Sequence, residues 1–353
     1  MNDSRTPLPV AVVVPAYNHA TFLAEAIESV LSQDPPPAEL VVVDDGSEDD
    51  SFEVARAALE RTRGTRTRLV RQENAGAAVA INRGVSMTEA PFVAVLNDDD
   101  VYLPGRLAAL HATLESTGRD LAVSGVEFAG GPGADELPLF AEVNPAGLAD
   151  IARLPTFGFG LLTFNWVVTS SNLMLTRTLF EELRGFDEDL PLIHDNEILW
   201  RAFRLTEPAL VPKILLRYRV HAGNNYRRLR PRLEMETSRA LETYASWALG
   251  DGPEIRNPLA PCPACWPRFF PAFARAVKAS WSPTPFLERL PRGLTDPRPR
   301  GAIGTSGARR VDDAGETAAI ARMFEPPPEI LEGVEGFERL ARRWIGQPGF
   351  DRS

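Results

Sequence analysis

Three apolar runs near the start of the chain each end in a short polar or acidic turn, and this pattern constrains the fold more than any other feature. The runs are followed by Pro15-Ala16-Tyr17-Asn18, Asp44-Asp45-Gly46-Ser47 and Asn97-Asp98-Asp99-Asp100. Continuous apolar runs are typical of buried strands of a parallel sheet, and the carboxyl ends of such strands form a ligand crevice. Two acidic clusters at that crevice indicate a nucleotide and a divalent cation.

Strand-like and helix-like segments alternate along the first two thirds of the chain. The predicted strands are 10–14, 40–43, 68–70, 92–96, 121–128, 173–175 and 215–220. The predicted helices are 20–33, 51–60, 76–87, 105–116, 177–183 and 195–204. This alternation predicts an α/β fold with a mostly parallel sheet flanked by helices.

The amino-acid composition changes in the C-terminal third of the sequence, where proline becomes frequent. We predict one domain over residues 1–227 and a mainly helical, proline-rich extension over 228–353, with helices at 231–249 and 328–345. The polar segment 292–315, rich in Gly, Arg and Pro, is predicted to be disordered. Residues 129–147 are rich in Gly and Pro and predict a long surface loop.

Composition excludes several classes of protein. A net charge of −10 argues against nonspecific nucleic-acid binding. The two cysteines, Cys262 and Cys265, are consistent with a reducing compartment and are expected to pack or to form an adventitious dithiol, because a zinc site lacks further ligands nearby.

Neither a signal peptide nor a membrane span is evident, so a cytoplasmic location is expected. The basic, aromatic segment 266–281 could lie on the inner face of a membrane, although packing on the first domain is favoured.

Together these motifs resemble, in order, those of the family 2 glycosyltransferases with the GT-A fold. The resemblance covers about residues 9–225 and does not extend to the C-terminal third. It implies an enzyme that uses a nucleotide-diphosphate sugar, inverts the anomeric centre and requires Mn²⁺ or Mg²⁺. A UDP-sugar is the first expectation, closely followed by dTDP- and GDP-sugars.

The resemblance implies a nucleotide-sugar site at the polar turns. An aromatic ring at a strand end, here Tyr17, can stack on a base or can pack at the sheet edge. Asp and Ser in the second turn suit a helix N-cap as well as a base and ribose site, and Asn82 could be structural. The implied binding residues are Pro15, Ala16, Tyr17, Asn18, Asp44, Asp45, Asn74, Gly76, Asn82, Asn97, Asp98 and Arg219.

A metal site is implied at the third turn. The family's metal motif is Asp-x-Asp-Asp, and aligned on the following Val-Tyr-Leu-Pro, Asn97 takes the first acidic position and Asp99 the second. Asp99 is therefore the candidate ligand, since Mg²⁺ and Mn²⁺ favour oxygen. Asn97 removes a charge and is expected to loosen metal binding. His221 could bind metal or phosphate, or make an ordinary structural hydrogen bond.

Gly185-Phe186-Asp187-Glu188, followed by His194-Asp195, resembles the acceptor-side motif of the family, where Glu-Asp is usual. Asp195 falls on the catalytic base, which would take the proton of the acceptor hydroxyl. His194 replaces the usual Glu. The alternative role for Asp195 is a helix N-cap.

These expectations describe transfer of a sugar to a hydroxyl of a sugar or lipid-linked acceptor, in bacterial-type cell-surface polysaccharide, glycolipid or glycoconjugate synthesis. The alternative is a noncatalytic nucleotide-sugar-binding or scaffold protein of the same fold, which Asn97 and His194 leave open. A dinucleotide dehydrogenase would need Gly-x-Gly-x-x-Gly after the first strand, where Pro15 to Asn18 stand instead.

Overall fold

The structure is a computed structural model that describes residues 6–60, 62, 64–130 and 167–224, and the single positions 232, 235, 236, 239, 240, 256 and 257. Several predictions fall wholly or largely outside these residues. They are the surface loop from residue 131 onwards, the C-terminal extension with its helices at 231–249 and 328–345, the disorder at 292–315, the cysteine pair and the segment 266–281.

The described residues form an α/β fold. The strands are β1 Leu8–Ala16, β2 Pro37–Asp44, β3 Arg66–Arg71, β4 Phe92–Val95, β5 Val101–Tyr102, β6 Leu121–Gly130, β7 Met174–Thr176 and β8 Ala209–Val220. The helices are α1 Ala20–Leu31, α2 Ser51–Leu59, α3 Ala77–Ser86, α4 Arg106–Thr117, α5 Arg177–Glu182 and α6 His194–Phe203, with a 3-10 turn at Ser170–Asn172.

All eight strands join one sheet in the order β3-β2-β1-β4-β7-β6-β8-β5. The pairs β3–β2, β2–β1, β1–β4 and β6–β8 are parallel, whereas β7 is antiparallel to both neighbours and β5 is antiparallel to β8. Because β7 reverses direction between β4 and β6, those two strands run the same way. The predicted mostly parallel sheet is therefore confirmed, with two strands that run against the rest.

The core of the sheet forms where the apolar runs predicted it. Residues Val10 to Val14 of β1 are fully buried, and α1 places Leu23, Ile27 and Val30 against the same core. The predicted strand stopped before Pro15, but β1 continues to Ala16 and pairs there with β2. Pairing with β4 ends at Val13, so a residue without an N–H group is tolerated at position 15.

Two elements were not predicted. The two-residue strand β5 is too short to leave a pattern, and the 3-10 turn Ser170–Asn172 consists of polar residues without periodicity. Both lie beside the acidic turn that follows β4. No helix among the described residues has the length and apolar character needed to span a bilayer.

The parallel strands β1, β2 and β4 end on the same edge of the sheet, which we call the carboxyl edge. Ala16 pairs with Asp44, and the N–H of Asp45 donates to the carbonyl of Ala16 over 2.8 Å. The acidic turn follows β4 directly. All three polar turns singled out in the sequence therefore meet at one edge, as the crevice rule for α/β sheets requires.

Candidate nucleotide-sugar and metal site

The 3-10 turn holds Asn97 through both ends of its side-chain amide. Nδ2 donates to Thr169 Oγ1 over 2.9 Å, and Oδ1 accepts from Ser170 Oγ over 2.9 Å. The backbone N–H of Asn97 donates to Ser171 Oγ over 2.8 Å. An amide can donate through its nitrogen and accept through its oxygen, whereas an ionised carboxylate can only accept. This pairing is a physical reason for asparagine at a position where the family motif has aspartate.

Asp100 is the most deeply buried member of the acidic turn. Its carboxylate accepts from Ser171 Oγ over 2.6 Å, from Thr169 Oγ1 over 3.2 Å and from the backbone N–H of Arg219 over 3.2 Å. Burial and the neighbouring charge of Asp99 raise the pKa of Asp100 well above its usual range. Asp100 therefore ties the acidic turn to the 3-10 turn and to β8, and does not face solvent.

Beneath this turn lies a fully buried arginine, Arg106, at the start of α4. Its guanidinium donates to Ser124 Oγ over 2.6 Å, to the carbonyl of Ser171 over 3.1 Å and to Asn172 Oδ1 over 3.2 Å. The same group lies 4.8 Å from the centre of the Tyr102 ring. Sequence analysis did not single out Arg106, because a basic residue early in a helix usually faces solvent.

Asp98 binds the loop between β1 and α1. Oδ2 accepts the N–H of Tyr17 over 2.8 Å, and Oδ1 lies 2.8 Å from Nδ1 of His19. Burial alone lowers the pKa of His19, but the hydrogen bond and charge of Asp98, together with the charges of Asp99 and Asp49, raise it to about 9. Both oxygens of Asp98 are thus engaged within the protein.

Asp99 lies at the centre of a cluster that could hold a metal ion. His221 Nε2 is 3.0 Å from Asp99 Oδ2, and Nδ2 of Asn224 is 3.4 Å from the same oxygen. His19 joins this pair, since one ligand atom each from His19, Asp99 and His221 all lie within 4.8 Å of one another. The structure therefore brings together the two predicted metal ligands, Asp99 and His221. It adds His19, which the motifs did not indicate.

The donor set of this cluster fits a divalent cation. Carboxylate and imidazole groups are the ligands that divalent first-row metals take in proteins. Asp99 and His221 are almost wholly buried, with 8% and 4% of their surfaces exposed, so few solvent contacts compete with them. Asp99 and His221, the latter through Nε2, would hold such an ion.

Arg219 is engaged by α1. Its guanidinium donates to Glu25 over 2.7 Å and lies 4.7 Å from the centre of the Phe22 ring. The nucleotide-sugar contact implied for Arg219 would require this group to exchange Glu25 for the ligand. Because Glu25 is about half exposed, the present pair is a surface contact of modest strength.

The turn after β1 presents the predicted stacking ring to solvent. Tyr17 is 43% exposed, which is unusual for a large aromatic side chain. Asn18 has a positive φ of 56° and accepts the N–H of Glu48 through Oδ1 over 2.8 Å. Pro15 and Ala16 are buried at the strand end. The exposed ring is therefore the part of this turn that could contact a ligand.

The two carboxylates of the second turn have different partners. Asp45 accepts from Gln72 Nε2 and from the backbone N–H groups of Ala75 and Gly76, over 2.7, 2.9 and 2.8 Å. Asp44 is fully buried and lies 3.1 Å from Arg71 Nε, but neither of its oxygens has a hydrogen-bond partner among the described residues. Asp45 therefore fixes the segment that carries Asn74 and Gly76 through hydrogen bonds. Asp44 instead forms an ion pair with Arg71.

Gly46 lets the second turn approach the segment 72–76 closely. Its φ is +77°, and a Cβ at this position would lie 2.9 Å from the backbone nitrogen of Asn74 and 3.2 Å from the carbonyl oxygen of Gln72. Both contacts are with backbone atoms, which cannot rotate away. Asn74 itself is exposed beside this turn.

Asn82 on α3 contacts the acceptor-side motif. Nδ2 donates to the carbonyl of Phe186 and to Glu188, each over 2.9 Å, and Oδ1 accepts the N–H of Phe186 over 2.9 Å. Both ends of its amide are engaged with that loop. The geometry favours the structural alternative for Asn82, which would act by fixing the loop that precedes Asp195.

Asp195 lies in the first turn of α6 and is not part of the cluster of His19, Asp99 and His221. The helix begins at His194, so Asp195 is inside it and the N-cap is Ile193. Asp195 is 8% exposed, and its Oδ1 accepts the N–H of Asn196 over 2.8 Å. The partial positive charge of a helix N-terminus favours a carboxylate there. His194 turns Nδ1 to the carbonyl of Pro191 over 2.9 Å.

A sheet with this order, carrying polar and acidic turns at its carboxyl edge, matches the GT-A fold. Residues 11–145 match the family described as Glycosyl transferase family 2. This part of the chain is therefore similar to the family 2 glycosyltransferases.

Several known proteins resemble part of the sequence or the fold of this chain. The succinoglycan biosynthesis protein ExoU of Rhizobium meliloti is 41% identical over 123 residues, which is 35% of this chain and 34% of ExoU. The chain thus spans about a third of that relative. The fold also matches S. aureus TarS 1-349 in complex with UDP-GlcNAc, with a TM-score of 0.55 and 13% identity over 96% of this chain and 91% of that one. The mannosyltransferase PcManGT of Pyrobaculum calidifontis, in complex with GDP-Man and Mn²⁺, matches with a TM-score of 0.51 and 18% identity over 98% and 91% of the chains.

Proposed function

We propose that this protein is an inverting glycosyltransferase that moves a sugar from a nucleoside-diphosphate sugar to a hydroxyl group, with the help of a divalent cation. The observation that carries the proposal is that Asp99 and His221 meet beside the polar turns at the carboxyl edge. His221 Nε2 lies 3.0 Å from Asp99 Oδ2. The exposed ring of Tyr17 and the segment carrying Asn74 stand at the same edge.

Asp99 and His221 would hold the cation, whose chemistry when bound is to neutralise the negative charge on the leaving diphosphate. The base would stack on Tyr17. Asp45, through its bonds to Ala75 and Gly76, keeps the adjoining wall of the site in place. Asp98 fixes a second side of the site, because it accepts the N–H of Tyr17.

Asp195 would act as the general base. The acceptor oxygen attacks the anomeric carbon from the side opposite the diphosphate, the carbon–oxygen bond to the diphosphate breaks, and the hydroxyl proton passes to the Asp195 carboxylate. Attack from the opposite side inverts the anomeric centre. The position of Asp195 in the first turn of α6 supports this role, because the partial positive charge of a helix N-terminus attracts a carboxylate.

Similarity to a succinoglycan biosynthesis protein supports a role in polysaccharide synthesis. The two structural neighbours were solved with UDP-GlcNAc and GDP-Man, which supports a sugar nucleotide as donor without choosing its base. We take a UDP-sugar as the first candidate and a sugar or lipid-linked sugar as acceptor.

Release of nucleoside diphosphate from UDP-, GDP- and dTDP-sugars, without acceptor and with Mn²⁺, tests the activity. The wild type should hydrolyse one class of donor slowly, and Asp99→Ala should not. Thr113→Ala, a change on the outer part of α4, is the control and should match the wild type. If no donor is hydrolysed while a nucleotide still binds, the noncatalytic alternative gains support.

A further inference from the structure

The loop between β1 and α1 brings a histidine into the predicted metal site. We propose that His19 is a third protein ligand of the cation, that Asp98 is the residue that positions it, and that the resulting site prefers Mn²⁺ over Mg²⁺. This inference rests on the proposed function, because it concerns the same cation.

The first argument is the orientation of the His19 ring. Nδ1 lies 2.8 Å from Asp98 Oδ1, and the other oxygen of Asp98 is fixed by the N–H of Tyr17 over 2.8 Å. Asp98 is 6% exposed, so this pair is largely shielded from water. With Nδ1 committed to Asp98, Nε2 is the nitrogen left for a metal ion.

The second argument is the position of the ring. His19 packs edge-on against His221, with 5.2 Å between ring centres, and against Phe22, with 6.0 Å. One ligand atom of His19 falls within 4.8 Å of those of Asp99 and His221. Its side chain is 27% exposed, so the site is open on this side.

Proteins commonly orient a metal-binding histidine through a carboxylate. The carboxylate accepts from one ring nitrogen, and the other ring nitrogen binds the metal. In this arrangement Asp98 acts through His19. The nucleotide-sugar contact predicted for Asp98 would then be indirect.

The choice of metal follows from the donor atoms. Two imidazoles and one carboxylate form a set that suits first-row transition metals and leaves further coordination positions open for diphosphate oxygens. Mg²⁺ prefers oxygen ligands and retains its waters. A site built from Asp99 and His221 offers one imidazole, and His19 adds a second, which shifts the preference further towards Mn²⁺.

The test is Mn²⁺ binding to the full chain without nucleotide, followed by the EPR signal of free Mn²⁺, with Mg²⁺ as competitor. His19→Gln and Asp98→Asn should weaken Mn²⁺ binding by about 10- to 100-fold and reduce the preference for Mn²⁺ over Mg²⁺. The matched control is His111→Gln, which changes a histidine of α4 that packs on Phe92, and it should bind like the wild type. Pulsed EPR should detect two histidine nitrogens on Mn²⁺ in the wild type and one in His19→Gln.

The inference would be overturned if pulsed EPR detected two histidine nitrogens on Mn²⁺ in both the wild type and His19→Gln, or only one in the wild type. This holds even if His19→Gln lowers stability. A purely structural His19–Asp98 pair would lower the unfolding temperature and leave the ratio of Mn²⁺ to Mg²⁺ affinity unchanged. Unaltered Mn²⁺ binding in Asp99→Ala would instead reject the metal site of the proposed function. The two failures are therefore distinguishable.

Discussion

Replacing Gly46 by alanine tests whether the close approach of two turns shapes the nucleotide site. An L-residue in the left-handed region costs about 1–2 kcal/mol. The added Cβ would also lie 2.9 Å from the backbone nitrogen of Asn74, so the segment 72–76 must move. Asp45 holds that segment through three hydrogen bonds, and each bond to a charged group contributes about 1.5–3 kcal/mol.

If the shift breaks one of these bonds, the free energy of unfolding should fall by about 2.5–5 kcal/mol in total. Urea unfolding followed by tryptophan fluorescence measures this loss. Binding of UDP with Mn²⁺ should weaken by about tenfold or more, because a displacement that costs 1.4 kcal/mol in the bound state already lowers affinity tenfold.

Gly118→Ala is the matched control. Gly118 also has a positive φ, +64°, but nothing lies within 4 Å of its added Cβ, and it ends α4 away from the polar turns. The free energy of unfolding of Gly118→Ala should fall only by the cost of the left-handed conformation, about 1–2 kcal/mol. Its affinity for UDP with Mn²⁺ should match that of the wild type. Equal losses of stability in the two variants, with nucleotide binding intact in both, would refute the argument.

Three further predictions concern residues that hold or use the site. Arg106→Met should lower the free energy of unfolding by about 3–5 kcal/mol, because it leaves buried partners unpaired, whereas the exposed Arg56→Met should leave it nearly unchanged in the same urea titration. Asn82→Ala should leave donor hydrolysis unchanged but lower transfer to acceptor, because it releases the loop at Phe186; equal loss of both rates would contradict this. Asp195→Asn should lower kcat for transfer by about 100- to 10,000-fold with donor affinity intact in a binding titration, and a near-normal kcat would exclude it as base.

The strands and helices that place the site were predictable from local patterns. Short apolar runs such as 10–14 and 92–96 favour a central strand, and the polar turn after each run marks where the strand ends. The convergence of these turns at one edge then follows from parallel pairing. The roles of Asp195, Asp99 and the nucleotide-binding residues stay predictions.

Contacts between segments distant in sequence were not predictable. The amide of Asn97 is explained by the 3-10 turn more than seventy positions later in the chain, and that turn carries no periodic signal. His19 lies two residues after Tyr17 in an irregular loop, so no pattern indicated that its ring would meet Asp98. The separate tasks of Asp44 and Asp45 depended on which neighbour each carboxylate met in space.

The most direct test of the central claim is calorimetric titration of UDP, GDP and dTDP, each with and without Mn²⁺, into the wild type and Asp99→Ala. The account predicts that one nucleotide binds more tightly in the presence of Mn²⁺ and that this gain disappears in Asp99→Ala. Binding of no nucleotide, or a Mn²⁺-dependent gain that persists in Asp99→Ala, would contradict it.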